Sequence, residues 1–317
     1  MSQLRTIRLE ITDKCALACL HCSVNAGPGK SRMMPLALAL DLIDQFARLG
    51  GQEVILTGGE PLEHDGYVEM LERAKTRGMR TCLFSMGIVT NGKLFDGTAV
   101  RRLKGLLDLW VVSLHAGSAP AHDDLTGGRG SFDETCAAIQ RAAVAGIEVQ
   151  ATFFAYPGNA HQLRAVAGLC DHLGITSLRV LSVVPQGRAA NQLGLELAID
   201  VIDQAIEEAA RSARVKLRLG EATKAKYRRE SDCQAISSEL VVNCDGWISP
   251  CHSVEPTAST SELDNAFLVP LAEVLRSSPR LSRCRSLAKE EAGIGCTSGC
   301  LARQALLGVP SGHVFPR

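Results

Sequence analysis

The stretch "TDKCALACLHC" (residues 12–22) places Cys15, Cys19 and Cys22 in one short loop. Three thiolates at C-x3-C-x2-C spacing can hold three corners of a cubane iron–sulfur cluster and leave one iron for an exogenous ligand. The same loop closed by His21 as a fourth ligand would be a zinc site. Unligated thiols are the third reading of the spacing. A second segment with chemical content is "LTGGEP" (56–61). Gly58 and Gly59 let the backbone approach a ligand with no side chain in the way. Glu60 offers a carboxylate that accepts hydrogen bonds from an ammonium group, and Pro61 stiffens the exit. Gly-Gly alone is a weak turn signal, and a lone glutamate is commonly a surface residue. The cysteine loop one strand earlier makes the combination specific.

Both segments need strands to deliver them. Candidate strands are "TIRLEIT" (6–12), "EVILTG" (53–58), "RTCLFSM" (80–86), "DLWVVSLH" (108–115), "IEVQATFF" (147–154) and "SLRVLSVV" (177–184). The clearest helical pattern is 35–51, where Leu36, Leu40, Ile43, Phe46 and Leu49 share a face. Pro35 suits its first turn, and Gly50 and Gly51 supply its stop. Further helices are expected at 66–77, 97–105, 132–145, 160–173 and 195–213. Such alternation predicts parallel βαβ units. Six units are too few for a closed eight-stranded barrel, so the α/β fold expected is an open or partial one. Active sites of such folds collect at the carboxyl ends of the strands, where both segments lie. From "RVKLRLG" (214–220) onward the pattern changes to short strands and turns, with a Ser/Thr-rich stretch at 257–261. The expected division is residues 1–200 for the barrel and 201–317 for a small cysteine-rich α+β unit.

The whole chain narrows the class further. With 317 residues, 46% hydrophobic and 21% charged, it has the means to bury a core. Lys plus Arg and Asp plus Glu are both 34, which gives no global electrostatic reason to expect nucleic acid or an anionic membrane as partner. The local run "KAKYRR" (224–229) reads as a solvated face. The start "MSQLRTIRLEIT" has no signal-peptide pattern, and no apolar stretch reaches bilayer length. A cytoplasmic setting is expected, where thiols stay reduced. Twelve cysteines there call for metal or redox chemistry rather than disulfides.

C-x3-C-x2-C after the first strand with GGEP after the second resembles the radical S-adenosylmethionine (SAM) superfamily, over roughly residues 5–185. The resemblance implies a partial (β/α)6 barrel. It implies a [4Fe–4S] cluster on Cys15, Cys19 and Cys22, whose open iron is chelated by SAM. Reductive cleavage of SAM then gives a 5′-deoxyadenosyl radical that abstracts a substrate hydrogen, with the electron coming from a donor such as flavodoxin or ferredoxin. Gly58, Gly59 and Glu60 would hold the methionine end of SAM. His21 matches the aromatic position before the third cysteine, near the adenine. Asn91 in "TNG" (90–92) matches a third-strand segment near SAM. "WVVSLHAGSAPAHDDLTGGRGSF" (110–132) resembles a family stretch usually reading "SLDG…HD…RG…GSF", with Ser113 as a ribose contact. The chain departs from it at His115, where Asp is usual, and at Ala116, where Gly is usual. His115 reads as a hydrogen-bonded structural side chain, with proton relay as the functional alternative. Arg179 and Leu181 on the sixth strand would lie beside the adenosine.

The tail resembles the SPASM/twitch extension of these enzymes. Its cysteines are Cys233, Cys244, Cys251, Cys284, Cys296 and Cys300, with G-x4-C at Gly246 and a final C-x3-C. The family's full pattern has a C-x2-C pair before the last group and a distal cysteine after it; both are missing here. The resemblance then implies one auxiliary [4Fe–4S] cluster on Cys233, Cys251, Cys296 and Cys300, with Cys244 and Cys284 as alternates. A structural zinc is the other reading. Cys82, Cys136 and Cys170 fall within strand or helix patterns as small buried hydrophobes. The expected function is a maturase that oxidises, crosslinks or epimerises a peptide or protein side chain. The alternative is a dehydrogenase or isomerase of a small metabolite in cofactor or antibiotic biosynthesis. Many peptide maturases carry a leader-binding winged helix before the barrel. Here the cluster loop begins at residue 15, so a separate leader-peptide-binding protein, or a small substrate, is expected.

Overall fold

A computed structural model describes residues 4–87, 97–182, 186–191, 194, 198–220, 223 and 238–290. Six βα units build the first two-thirds. The strands are β1 (Thr6–Thr12), β2 (Glu53–Gly58), β3 (Arg80–Phe84), β4 (Leu109–Ser113), β5 (Val149–Phe154) and β6 (Ser177–Leu181). The helices are α1 (Leu36–Arg48), α2 (Tyr67–Thr76), α3 (Gly97–Leu103), α4 (Ala119–Thr126), α5 (Ser131–Val144) and α6 (Leu163–His172). All six strands run parallel, in sequence order from β1 to β6.

Strand alternation sorts the side chains into two layers. In β1, Ile7, Leu9 and Ile11 are fully buried in the main core with Leu42, Ile43 and Phe46 of α1. Arg8 and Glu10 point to the opposite, concave face. There Ile55, Cys82, Leu109 and Val111 form a smaller apolar patch, and Arg8 lies over the Phe84 ring. The register of β1 on β2 shifts between Glu10 and Thr12. Such a bulge re-aims the chain at a strand end, and here it sends the backbone into the cysteine loop. Cys82 and Cys170 are buried and Cys136 packs half-buried against the core, as their positions in strand and helix predicted.

Two features were not read from the sequence. Helix α4 was not expected, because "APAHDDLT" has too few apolar residues to show a period. And the chain beyond residue 200 joins the same sheet at both edges. Helix α7 (Ile199–Ala210) leads to β7 (Lys216–Leu219), which pairs in parallel with β6. Strand β8 (Glu239–Val242) pairs in parallel with β1 and is followed by antiparallel β9 (Ile248–Ser249). The full order is β7-β6-β5-β4-β3-β2-β1-β8-β9. Glu239 accepts from the Arg8 guanidinium through both oxygens at 3.4 Å, joining tail to barrel. Against burial, Arg8 and His252 hold the Glu239 carboxyl well below the usual range. Helices α8 (Leu271–Ser277) and α9 (Pro279–Glu290) follow, and Leu271, Val274 and Leu281 enter the main core. No helix among the described residues is long and apolar enough to cross a membrane.

Candidate active site

The cysteine loop is stapled where it leaves β1 and where it returns. Thr12 Oγ1 accepts the Lys14 amide (3.0 Å) and donates to the Arg32 carbonyl (2.8 Å). Asp13 accepts from the Arg32 amide (2.9 Å) and its Nε (2.7 Å). Within the loop, Cys15, Cys19 and Cys22 gather in one apolar nest with Leu17, Ala26 and Met86.

Two walls hold that nest. On one side, the last turn of α4 offers its free carbonyls: the Ala18 amide donates to Thr126 and the Leu20 amide to Leu125, both at 3.0 Å. Asp123 fixes this wall by accepting the Gly130 and Phe132 amides (2.6 and 2.9 Å) and the Ser131 hydroxyl (2.9 Å). Against the cost of burial, those bonds hold its carboxyl below the usual range. On the other side stands Arg188, in the 3-10 turn after β6. Its amide donates to the Cys22 carbonyl (2.9 Å) and its Nε to the Cys19 carbonyl (2.8 Å). Gly187, at φ +56°, allows this approach, since a Cβ there would run into the Cys22 and Ser23 carbonyls.

Burial, with Glu60 adding, pushes the Cys15 thiol up to about 12. Burial and the neighbouring thiols of Cys22 and Cys15 raise Cys19 as well. Such thiols stay protonated until a metal cation offsets the thiolate charge. Three soft donors in one nest fit a cluster. So does the Leu17 N–H bond to Cys15 Sγ (3.4 Å), of the kind that tunes cluster sulfurs.

Glu60 is 1% exposed. Its Oε1 accepts the Ser85 hydroxyl (2.6 Å) and the Leu62 amide (3.2 Å), and its Oε2 accepts the Met86 amide (3.0 Å). The carboxylate therefore ties the exit of β2 to the exit of β3. The glycines before it also meet a constraint that the sequence did not reveal. A Cβ on Gly58 would run into the Thr12 carbonyl, and one on Gly59 into that of Lys14. What approaches the glycines in this structure is the backbone of the cysteine loop. The Gly59 and Glu60 amides donate to those same carbonyls at 2.7 and 2.8 Å.

His21 stacks on Phe154 (4.5 Å, 10°) and meets His115 edge-on (4.4 Å, 78°); His115 stacks on His122 (5.7 Å, 19°). The Phe154 amide donates to His115 Nδ1 and the His115 amide to His122 Nδ1, each at 3.2 Å. Those bonds assign the proton of both rings to Nε2. His21 Nδ1, His115 Nε2 and His122 Nε2 are buried without a hydrogen-bond partner. Burial, with charge from His122 and Arg188, lowers His21 to about 3; burial takes His122 to about 4 and His115 well below its ordinary value. His115 Nδ1 thus accepts a hydrogen bond from β5.

Ser113 shares a hydrogen bond with Thr152 (3.1 Å) at the ends of β4 and β5, and Arg179 lies beside Thr152 in register on β6. Cys244 sits in the β8–β9 turn, Cys251 just after β9 and Cys284 in α9, all buried. Asn91, Cys233, Cys296 and Cys300 lie outside the described residues. Phe154, His122 and Arg188 were not singled out from the sequence. His122 and Asp123 are the "HD" of the quoted stretch, so a signal was present. Arg188 had none, since its bond to the loop spans 169 positions.

The fold and site define an α/β enzyme that presents three thiols in the loop after its first parallel strand. The Radical SAM superfamily model matches residues 9–167, half of the chain, and the chain belongs to that superfamily. Its cofactors are therefore a [4Fe–4S] cluster and SAM. The AdoMet-dependent heme synthase of Oleidesulfovibrio alaskensis is 32% identical over 61% of this chain and 49% of its own. The PqqA peptide cyclase of Ruegeria pomeroyi is 27% identical over 78% of this chain and 67% of its own. The fold is similar to Streptococcus suis SuiB bound to precursor peptide SuiA, with TM-score 0.76 and 17% identity over 90% of this chain and 67% of that one. The chain spans about half the length of several curated relatives it matches.

Proposed function

We propose that this radical SAM enzyme is a maturase that abstracts hydrogen from a side chain of a peptide or protein, leading to oxidation, crosslinking or epimerisation. The observation that carries the reading is the tail's place in the sheet. Strand β8 pairs with β1, and the β8–β9 turn walls a cavity whose other wall includes Thr12, Ser23 and Gly58, beside the cysteine loop. On this reading the substrate enters beside the cysteine loop, against residues from both parts of the chain. A peptide-cyclase relative and a peptide-bound neighbour of the same fold support a peptide as the occupant.

Cys15, Cys19 and Cys22 would hold the cluster. Bound together, cluster and SAM supply a carbon radical able to take hydrogen from an unactivated C–H bond. The chain's own residues position and shield. Arg188 and the α4 carbonyls fix the loop backbone, and Gly58 and Gly59 seat it against β2. Glu60 orders the β2 and β3 exits as a wall for the methionine end of SAM. His21, on Phe154, offers a neutral flat face for an adenine, and Ser113 and Arg179 line the lumen below; Asn91 is carried as a contact by motif alone. In the tail we propose one auxiliary cluster on Cys233, Cys251, Cys296 and Cys300, with Cys244 and Cys284 as alternates.

The heme-synthase relative favours a second reading, a small-metabolite oxidase. Anaerobic incubation with SAM, reductant and either candidate peptides or small metabolites separates the two. A peptide mass change supports the maturase. Turnover of a small metabolite with every peptide unchanged supports the other.

A further inference from the structure

The cavity beside the cysteine loop has a volume of about 270 Å³. That is room for a long side chain rather than for one ion or water. Its charge is lopsided. Four carboxylates line it, Glu10, Asp13, Asp245 and Glu255, against the single cation Arg32. Arg32 is already committed, to Asp13 at 2.7 Å and to Asp245 at 2.5 Å. Glu10, from the concave face of β1, and Glu255, from the tail, accept no hydrogen bond from any described residue. Burial pushes the Glu10 carboxyl up to about 7, with Glu255 adding to the rise against the pull of Arg8.

A second and independent feature faces the same space. Gln186 is 5% exposed and lines the cavity. Its Nε2 donates to the His252 carbonyl at 2.8 Å, which leaves Oε1 buried with no partner. The cavity therefore presents two carboxylates that accept no hydrogen bond from the described residues, and an amide oxygen without a partner. A buried acceptor without a donor is costly, as are two like charges facing one another. An occupant carrying a positive charge and several N–H donors relieves both.

We propose that this cavity is a specificity pocket for an alkylammonium or guanidinium group of the substrate, held between Glu10 and Glu255 with an N–H to Gln186. The proposal deepens the maturase reading and rests on it for the adjacent radical site; it names a lysine or arginine side chain as what the enzyme recognises. A divalent metal ion is the competing occupant for such oxygens.

The test uses the anaerobically reconstituted full chain with SAM bound. Binding of N-acetyl-lysine methylamide and N-acetyl-arginine methylamide is measured by saturation-transfer NMR, beside the norleucine and glutamate counterparts and in competition with Ca²⁺. One basic probe should bind about tenfold or more tighter than the neutral and acidic ones. E10Q/E255Q should remove that preference. The single variants E10Q and E255Q, each with circular dichroism matching the parent, should each weaken it, so a misfolded double variant does not decide the matter. Equal binding of all probes, preference for the acidic one, absence of binding, or displacement of the basic probe by Ca²⁺ at a few equivalents would each overturn the proposal. Formation of 5′-deoxyadenosine by the unmodified enzyme is scored separately, so failure of the radical reading is distinguishable from failure of the pocket.

Discussion

At the scale of single residues, the site depends on side chains that hold the cysteine loop as much as on the thiols. Arg188 bonds the Cys19 carbonyl through its guanidinium across 169 positions of sequence, beside a backbone bond to the Cys22 carbonyl. The charge-assisted bond contributes about 1.5–3 kcal/mol. R188A is therefore expected to lower the apo-protein's stability by about that amount and to retain less iron after reconstitution, with R188K recovering part of it; iron per chain and urea unfolding check both. The buried histidines give a pH signature. His122 stays neutral in the fold down to about 4 because of burial, whereas an unfolded histidine titrates near about 6.5. Between those values the unfolded chain binds a proton that the native one does not. Stability therefore falls as pH drops through that window, by about 1.4 kcal/mol per pH unit for this residue. Urea unfolding of apo H122N should show a slope smaller by that amount from about pH 6 to 5. An unchanged slope would mean the ring is solvated.

At the scale of elements, the short helix α4 is a clamp. Its last carbonyls take two loop amides, and Asp123 caps the start of α5 while fixing the turn between the helices. Loss of such a cap costs about 0.5–2 kcal/mol. D123A should destabilise the protein within that range and slow cluster uptake, as read from thermal unfolding and the rate of iron incorporation. The six strands and their helices were legible in the sequence, because Ile7, Leu9 and Ile11 alternate strictly and α1 carries a clear apolar face. Helix α4 was not, since its role is to hold a neighbouring loop and its residues carry no apolar period. Gly58 and Gly59 were flagged from the sequence, but for approach to a ligand. Their contact with the Thr12 and Lys14 carbonyls comes from strand pairing, which composition does not reveal. G59A should disturb that pairing enough to prevent cluster loading, measured as loss of visible absorbance in correctly expressed protein.

At the scale of the whole molecule, the chain past residue 200 completes the sheet as well as carrying cysteines. Strand β8 covers the edge of β1, and Arg8 with Glu239 forms a largely buried ion pair across that joint. Removing one partner of such a pair leaves an uncompensated charge and costs about 3–5 kcal/mol. R8M alone should therefore destabilise the full chain by about that much, measured by urea unfolding, whereas R8M with E239L should recover most of the loss. On the proposed reading, the three-thiol loop, walled by this tail, generates a radical that acts on a peptide side chain. The most direct test is mass spectrometry of candidate peptides incubated anaerobically with reconstituted enzyme, SAM and reductant, with 5′-deoxyadenosine quantified in the same sample. A peptide mass change accompanied by 5′-deoxyadenosine is expected, both abolished in C15A. SAM cleavage that leaves every peptide unchanged while a small metabolite is consumed would contradict this reading.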